Sequence, residues 1–485
     1  ATKGFTIMLR LSIFCLLASL LLSGCGDKIK PDVVPKKGVA LVRMTQWQEP
    51  WFAKRIQKWP GTKKIALETE SYQTLQELPE LLKKSLKDER EAPYLFVKIE
   101  GRMLPTLIEQ KLLYPLEKLV PAGETPRWRK ELDGRGLAPA FKDGYTWALP
   151  RKIENHIFGY RSYYVRQAAL YWSSMRDEID EIFKLENGKG LPEGYTLESS
   201  PEMWDVYDLA VAGYYWSRTR IKGNKAPRLG HRTKDYPGTY VDIAARLFSL
   251  GGTPEDLVKV RGQALVDFLT WEAFFMRYGL YHRSMVEPGW FGGDTYRAFR
   301  DYSLLALTLH QVDAIQFHRQ FGPKGEEEQS GVAFAPMYKG VSLELSDKGQ
   351  PKRVGSRRTH LAGWWWGIPS SCPCPRLALE LLEYILSREF QQEECAKFGN
   401  YPVRMDLLED VTTAFPEKWM QTVFKISERQ FEEDCFPIPD ERLTHRKEAI
   451  ALFDLWRKVM NHPKLMDKSV PLSALGIAKM VEQTN

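Results

Sequence analysis

The sequence predicts an α/β protein with two lobes, each made of a sheet covered by helices. Short β-type runs alternate with helical patterns in the first quarter of the chain, as in parallel sheets whose faces are covered by helices. The chain has 485 residues, and the roughly 460 that remain after removal of an N-terminal leader are more than one hydrophobic core usually holds. We therefore expect two cores and two lobes.

The apolar pattern places the first strands and helices. Residues 39–42, 65–67 and 94–97 form short β-type runs that predict three strands. Leucines spaced three and four apart predict a helix between the second and third strands, at Leu75, Leu78, Leu81, Leu82 and Leu86. The same spacing predicts a helix after the third strand, at Leu104, Leu107, Ile108 and Leu112. Because ligands bind at the carboxyl ends of parallel strands, we expect a site at residues 45–48 and 98–102.

The N-terminus resembles a bacterial lipoprotein signal. A largely apolar run at residues 11–22 follows Arg10 and ends at Ser23, Gly24 and Cys25. The run is shorter than the roughly 20 residues that cross a membrane. The resemblance implies a signal at residues 1–25, lipidation of Cys25 and an anchored protein outside the cytoplasm, on the periplasmic or cell-surface side of a membrane. The alternative is a buried helix that ends in a cysteine.

The amino-acid composition limits the classes of partner that we expect for this protein. Residues 26–37 contain two prolines and four lysines, which predicts a flexible tether between lipid and fold. The chain has 69 Lys and Arg against 62 Asp and Glu, a mild excess with no basic stripe, so we expect no nucleic-acid partner. Attraction to anionic lipid headgroups stays open.

Four cysteines remain after the signal, namely Cys372, Cys374, Cys395 and Cys435. An even number outside the cytoplasm predicts two disulfides, and the sequence does not determine their pairing. Zinc is the competing interpretation. No Cys-x-x-Cys or His-x3-His spacing accompanies these residues, so we expect no metal site.

Several short segments in the rest of the chain are informative because of the order in which they occur. They are residues 94–97, 112–116, 143–150, 203–205, 236–240, 311–315, 331–336, 363–368, 378–391 and 399–404. In this order they resemble passages of bacterial extracellular solute-binding proteins of the maltose-binding-protein type, which are the lipoprotein receptors of carbohydrate ABC importers. The motifs cover most of the chain, and none is specific alone.

The resemblance implies a type II periplasmic-binding-protein fold with discontinuous lobes joined by crossover hinges near residues 153–156 and 359–363. It places residues 38–153 and 362–410 in an N-lobe. Residues 154–361 and 411–485 then form a C-lobe. It also implies a monomer without a cofactor.

The resemblance implies an aromatic-lined cleft between the lobes, since aromatic rings stack on sugars and polar groups bind their hydroxyls. The aromatic candidates are Trp47, Tyr236, Tyr240, Trp290, Trp364 and Trp365. In a strand, Trp364 and Trp366 would share one face and Trp365 the other, so at least one should meet the cleft. The polar candidates are Glu100 and Arg102 after the third strand, and Gln316 and His318 after a candidate strand at residues 312–315. The alternatives are core packing for the aromatic residues and solvated loops or hinge ion pairs for the polar ones.

These features predict a lipid-anchored receptor that binds a sugar and delivers it to an ABC permease by lobe closure. The chain contains no Gly-x-Ser-x-Gly, His-Glu-x-x-His or P-loop motif and only eight histidines, so we do not expect an enzyme. An extracellular glycoside hydrolase remains the rival, because paired carboxylates have no fixed spacing in sequence. A ligand-binding sensor partner with the same fold is a further alternative.

Overall fold

The computed structural model describes residues 31–87, 92–322, 331–433, 435–437 and 447–484. The predicted signal, Cys25 and the first part of the predicted tether lie outside these residues. Among the helices of the described ranges, none combines the length and apolar character needed to span a bilayer.

Strands and helices alternate along much of the chain. The strands are β1 (Lys37–Val42), β2 (Ala66–Ser71), β3 (Tyr94–Glu100), β4 (Phe141–Lys142), β5 (Tyr145–Thr146), β6 (Leu149–Glu154), β7 (His156–Arg161), β8 (Ala306–His310), β9 (Val332–Ala335), β10 (His360–Gly367) and β11 (Phe436–Pro437). The helices of the first half are α1 (Gln48–Ile56), α2 (Glu77–Lys87), α3 (Leu104–Glu109), α4 (Trp128–Glu131), α5 (Gly134–Leu137), α6 (Ser162–Tyr171), α7 (Arg176–Asn187) and α8 (Val206–Arg218). Those of the second half are α9 (Pro237–Ser249), α10 (Pro254–Lys259), α11 (Gln263–Arg277), α12 (Gly292–Arg300), α13 (Ala314–Phe321), α14 (Pro375–Ile385), α15 (Arg388–Phe398), α16 (Met405–Glu409), α17 (Val411–Ala414), α18 (Lys418–Glu432), α19 (Lys447–Met460) and α20 (Ile477–Thr484).

The larger sheet contains six of the described strands, in the order β11-β10-β3-β1-β2, with β6 paired to β10. β1 runs parallel to β2 and to β3, as the alternation of strands and helices predicts. β10 is antiparallel to both β3 and β6, and Trp364 lies opposite Glu100 on β3 and Lys152 on β6. All seven residues of β3 are buried because helices cover both of its faces.

The smaller sheet contains β8, β7 and β9, with β7 in the centre and antiparallel to both neighbours. The chain passes from the larger sheet to the smaller one at Asn155, between the end of β6 and the start of β7. This position falls within the first crossover that the resemblance implies. The Asn155 side chain donates a hydrogen bond to the Ser427 carbonyl oxygen at 2.9 Å, which ties the crossing to α18.

Each sheet has its own hydrophobic core. One core contains β1, β3 and the tryptophans of β10, together with α14 and α15. The other contains β7 and β8 together with α8, α9 and α11. The protein is therefore a two-lobed α/β structure whose sheets are flanked by helices, as predicted.

Two local predictions were wrong. Residues 312–315 do not form a strand, because a 3-10 turn (Gln311–Asp313) follows β8 and leads directly into α13. The structure also contains no disulfide among the four described cysteines. Cys372 and Cys374 are buried at the turn before α14 and Cys395 is buried on α15, while Cys435 Sγ lies 3.3 Å from the Gln430 carbonyl oxygen.

Candidate functional site

A cavity of about 550 Å³ lies at the carboxyl ends of the parallel strands of the larger sheet. Residues 43–49 follow β1, residues 71–73 close β2, and Lys98 comes from β3. Parallel strands end at one edge of the sheet, so these segments meet there although they are distant in sequence. The rest of the lining consists of Lys152, Val312, Asp313, Ile315, Gln316, Trp364 and Phe398. The cavity is therefore lined by strand ends of the larger sheet and by the segment that follows β8 of the smaller sheet.

Aromatic side chains provide flat apolar surface in this cavity. Trp47 is 46% exposed, and its ring meets Phe398 edge to face at a centroid distance of 5.6 Å. Trp364 is half-buried, and the Lys98 ammonium lies 3.9 Å from the centroid of its ring. Exposed and half-buried indole faces in a cavity of this size are suited to stacking on a ligand.

Lys98 is the most deeply buried basic side chain of the lining. Its Nζ donates to the Arg43 carbonyl oxygen at 2.5 Å, and its own carbonyl oxygen accepts from the Tyr72 hydroxyl at 2.7 Å. Burial, reinforced by the nearby positive charges of Arg151 and Lys152, holds the pKa of Lys98 well below its usual range. The contacts fix the amine beside Trp364, where it can donate to a ligand.

The other polar groups come from two further segments. Lys152 on β6 forms a buried ion pair with Glu154. Asp313 sits in the turn before α13, and burial raises the pKa of its carboxyl to about 6, against the opposing field of Arg232. Gln316 is exposed on α13. The cavity thus offers amine, carboxyl and amide groups around aromatic rings, a combination that binds hydroxyl groups and C–H faces together.

Of the ligand-contact residues predicted from sequence, the structure brings Trp47, Gln316 and Trp364 to this cavity. Glu100 and Arg102 do not line it. They form a buried ion pair with an N–O distance of 3.0 Å at the end of β3.

Trp365 and Tyr240 lie in the cores. Trp365 is 1% exposed, and its indole N–H donates to the Gly136 carbonyl oxygen at 2.8 Å. Tyr240 on α9 is also 1% exposed and packs edge to face on Phe453.

Tyr236, Trp290 and His318 lie outside the lining as well. The Tyr236 hydroxyl accepts from the Gly292 N–H at 3.0 Å, at the start of α12. The buried Trp290 donates to the Ser284 hydroxyl at 3.1 Å. His318 stacks on Trp419 with a centroid distance of 3.9 Å. Their contacts to a ligand stay predictions that this cavity does not support.

Several lining residues were not predicted, and some left a signal in the sequence. Lys98 lies inside the strand end at which the parallel-sheet rule places ligands. Tyr72 follows β2. This edge strand is longer than its apolar run, because its residues are polar from Glu68 onward and only Leu67 is buried. Lys152, Asp313 and Phe398 come from distant segments and carry no local signal.

Comparisons with known proteins are informative only at the level of structure. No protein-family model and no curated protein matches the sequence. Solved structures do match. The GacH receptor of Streptomyces glaucescens, solved unliganded and with acarbose, has a TM-score of 0.59 and 14% identity, with 93% of this chain and 98% of that chain covered.

Two further structures agree with this match. Maltose-bound MalE3 of T. maritima has a TM-score of 0.59 and 14% identity, with 92% of this chain and 99% of that chain covered. The ABC substrate-binding protein Lmo0181 of Listeria monocytogenes, in complex with cycloalternan, has a TM-score of 0.60 and 12% identity, with 93% and 98% covered. Their near-complete coverage shows that this chain has the type II fold of maltose-binding-protein-like solute-binding proteins.

Proposed function

We propose that the protein is an extracytoplasmic receptor that binds a carbohydrate in the 550 Å³ cavity and delivers it to an ABC permease. The observation that carries the proposal is the combination of indole faces with fixed polar groups at the carboxyl ends of β1, β2 and β3. Trp47 and Trp364 stack on the C–H faces of sugar rings. Gln316, Asp313 and Lys98 bind the hydroxyl rim.

Lobe closure is the mechanism that this fold supports. The cavity is lined by the ends of β1 to β3 on one side and by Asp313 and Gln316, beside the smaller sheet, on another. A ligand that touches both sets of residues binds the closed form more tightly than the open form and so shifts their equilibrium. The backbone changes conformation at Asn155 and at the start of β10 when the lobes close.

The carbohydrate class has support from the structural matches. The GacH receptor, MalE3 and Lmo0181 were solved with acarbose, maltose and cycloalternan respectively. Binding without turnover fits these neighbours, which are receptors and binding proteins. Anchoring through Cys25 and recognition by a permease complete the proposal and rest on the lipoprotein-like N-terminus.

A thermal-shift screen tests the proposal. The chain from Gly26 onward is melted with a panel of oligosaccharides, polyols, peptides and organic phosphates. A ligand that binds only the folded state must raise the Tm. We expect a rise of several degrees with one sugar class and recovery of that sugar intact. A sugar returned cleaved would favour the hydrolase, and no rise with any compound would favour the sensor partner.

The stacking role of two indoles is tested by separate alanine variants. Trp47→Ala and Trp364→Ala should each weaken the Kd for the identified sugar about tenfold or more, since stacking contributes about 1.5 kcal/mol. Titration calorimetry measures the change. Tyr171→Ala is the control, because this tyrosine is 53% exposed and lies outside the cavity lining. Unchanged affinity in both tryptophan variants would refute the stacking role.

A further inference from the structure

Three histidines from three strands meet next to the crossing between the sheets. His156 begins β7, His310 ends β8 and His360 begins β10. Each offers one ring nitrogen, and these nitrogens all lie within 4.8 Å of one another. His156 and His360 are fully buried, and the side chain of His310 is 16% exposed. We call these residues the hinge histidines.

The spacing of the ring nitrogens suits a tetrahedral metal ion. The two ring nitrogens of His360 lie 3.1 and 3.2 Å from His156 Nδ1. Two nitrogens bound to one tetrahedral Zn²⁺ are about 3.3 Å apart, because each Zn–N bond is about 2.05 Å long. The His310 ring stands 4.4 Å from His156 and 5.3 Å from His360 between centroids. The three nitrogens lie within 4.8 Å of one another, so binding one ion requires the rings to rotate towards a common point.

A carboxylate orients the first of these rings. His156 Nε2 lies 3.0 Å from Asp242 Oδ1, so an Nε2–H tautomer donates to the carboxylate. This tautomer leaves the Nδ1 lone pair facing His360. Asp242 is itself held by Arg232, whose Nε donates to Oδ2 at 2.8 Å. Histidine ligands of zinc commonly donate their second N–H to such a carboxylate, which fixes the ring and raises its basicity.

The other two rings are also suited to binding a metal. His310 Nδ1 is buried without a hydrogen-bond partner in the described part of the chain, and Glu154 Oε2 lies 3.9 Å from it. His156 and His360 are fully buried and His310 nearly so, and burial favours the neutral imidazole, which is the form that binds metal ions. The carboxylates of Glu154 and Asp242 offset the positive charges of Lys152 and Arg232 around the cluster.

We propose that His156, His310 and His360 bind a divalent transition-metal ion of the zinc class at the junction of the two sheets. Imidazole is a preferred ligand of such ions. A fourth position is left for water or for the Glu154 carboxylate. The ion links the ends of β7, β8 and β10, so it stiffens the segment about which the lobes move. This inference does not depend on the identity of the solute.

Titration of the sugar-free, chelator-treated protein tests the proposal. We expect one Zn²⁺ per chain by calorimetry, and a rise of several degrees in Tm when Zn²⁺ is present in large excess over its Kd. Co²⁺ in place of Zn²⁺ should give visible absorption bands of a nitrogen-coordinated ion of low coordination number. Absence of saturable Zn²⁺ binding by the folded protein would overturn the proposal, whether or not a sugar binds.

A variant pair assigns the site to these residues. His310→Gln removes a ligand whose Nδ1 makes no hydrogen bond in the described chain, so the fold should be retained. We expect its Zn²⁺ affinity to fall at least tenfold and its Co²⁺ bands to change. His462→Gln is the matched control, since His462 lies between α19 and α20, where its Nδ1 accepts from the Lys464 N–H at 3.2 Å. Equal Zn²⁺ affinity in His310→Gln and the unaltered protein contradicts the assignment.

Discussion

Trp365→Ala is expected to lower the free energy of unfolding by about 3–5 kcal/mol and to leave the sugar affinity of the folded molecules unchanged. Trp365 is 1% exposed in the core of the larger sheet. Its ring packs so closely on Gly101 that a Cβ there would lie 2.7 Å from it. The variant also leaves the buried Gly136 carbonyl oxygen without the indole donor that it now has at 2.8 Å.

Urea unfolding and titration calorimetry on Trp365→Ala and Trp364→Ala separate stability from binding. The two residues are adjacent on β10 and are removed by the same chemical change, so each variant is the control for the other. Trp364→Ala should lose affinity and less stability, because its ring is half-buried and lines the cavity. A Trp365→Ala variant that loses affinity at unchanged stability would contradict this assignment of roles.

The environment of β10 shows why sequence alone could not separate these tryptophans. Strand alternation predicts that Trp364 and Trp366 share a face, yet Trp366 is fully buried and stacks on Phe52 with a centroid distance of 5.3 Å. Helices and loops cover both faces of β10, and its pairing with β6 shifts register between Trp364 and Trp365. Which indole reaches a cavity is therefore decided by neighbours that are distant in the chain.

The fold was predictable where burial leaves a local pattern. Continuous apolar runs identified β1 and β3, and leucine spacing identified α2 and α3. The apolar pattern does not identify segments that are buried on one side only. The edge strand β2 was predicted too short. Residues 312–315, where the 3-10 turn leads into α13, were mistaken for a strand.

The position of the cavity was predictable, and its lining residues were less so. The strand-end rule indicated the edge of the sheet at which the cavity lies, because backbone topology determines where parallel strands end. The rule could not show that Lys98, and not Glu100, lines the cavity, since Glu100 is engaged in an ion pair with Arg102. The hinge histidines show no ligand spacing in sequence, since three strands from distant parts of the chain bring them together.

Glu272→Gln is expected to lower the free energy of unfolding by about 3–5 kcal/mol, because it removes the charge that compensates a buried arginine. Glu272 on α11 is 2% exposed. It accepts hydrogen bonds of 2.7–2.9 Å from four side chains, namely His231, Arg246, Tyr281 and Trp456. Arg246 lies on α9 and Trp456 on α19, so one carboxylate joins three helices of the second core.

The same contacts predict how acid acts on this core. Burial alone would raise the pKa of Glu272, but the charges of Arg246 and His231 and the hydrogen bonds outweigh it and lower the pKa from 4.5 to about 2. A carboxyl whose pKa is lower in the folded state stabilises the protein above its unfolded pKa. That stability is lost as the pH falls from about 4.5 towards 2.

Urea unfolding at several pH values between 6 and 2 measures both effects. The unaltered protein should lose stability steeply below pH 4.5. The free energy of unfolding of Glu272→Gln should be lower at pH 6 and fall less steeply, because this variant has no proton to take up at position 272.

Glu255→Gln is the matched control, since Glu255 is exposed and pairs with Lys259 on the same helix, where solvent screens the interaction. Equal slopes in Glu272→Gln and the unaltered protein would mean that the carboxyl is not the acid-sensitive link between α9, α11 and α19. α9 also carries Asp242 to the hinge histidines, so loss of this link should loosen the helix that orients His156.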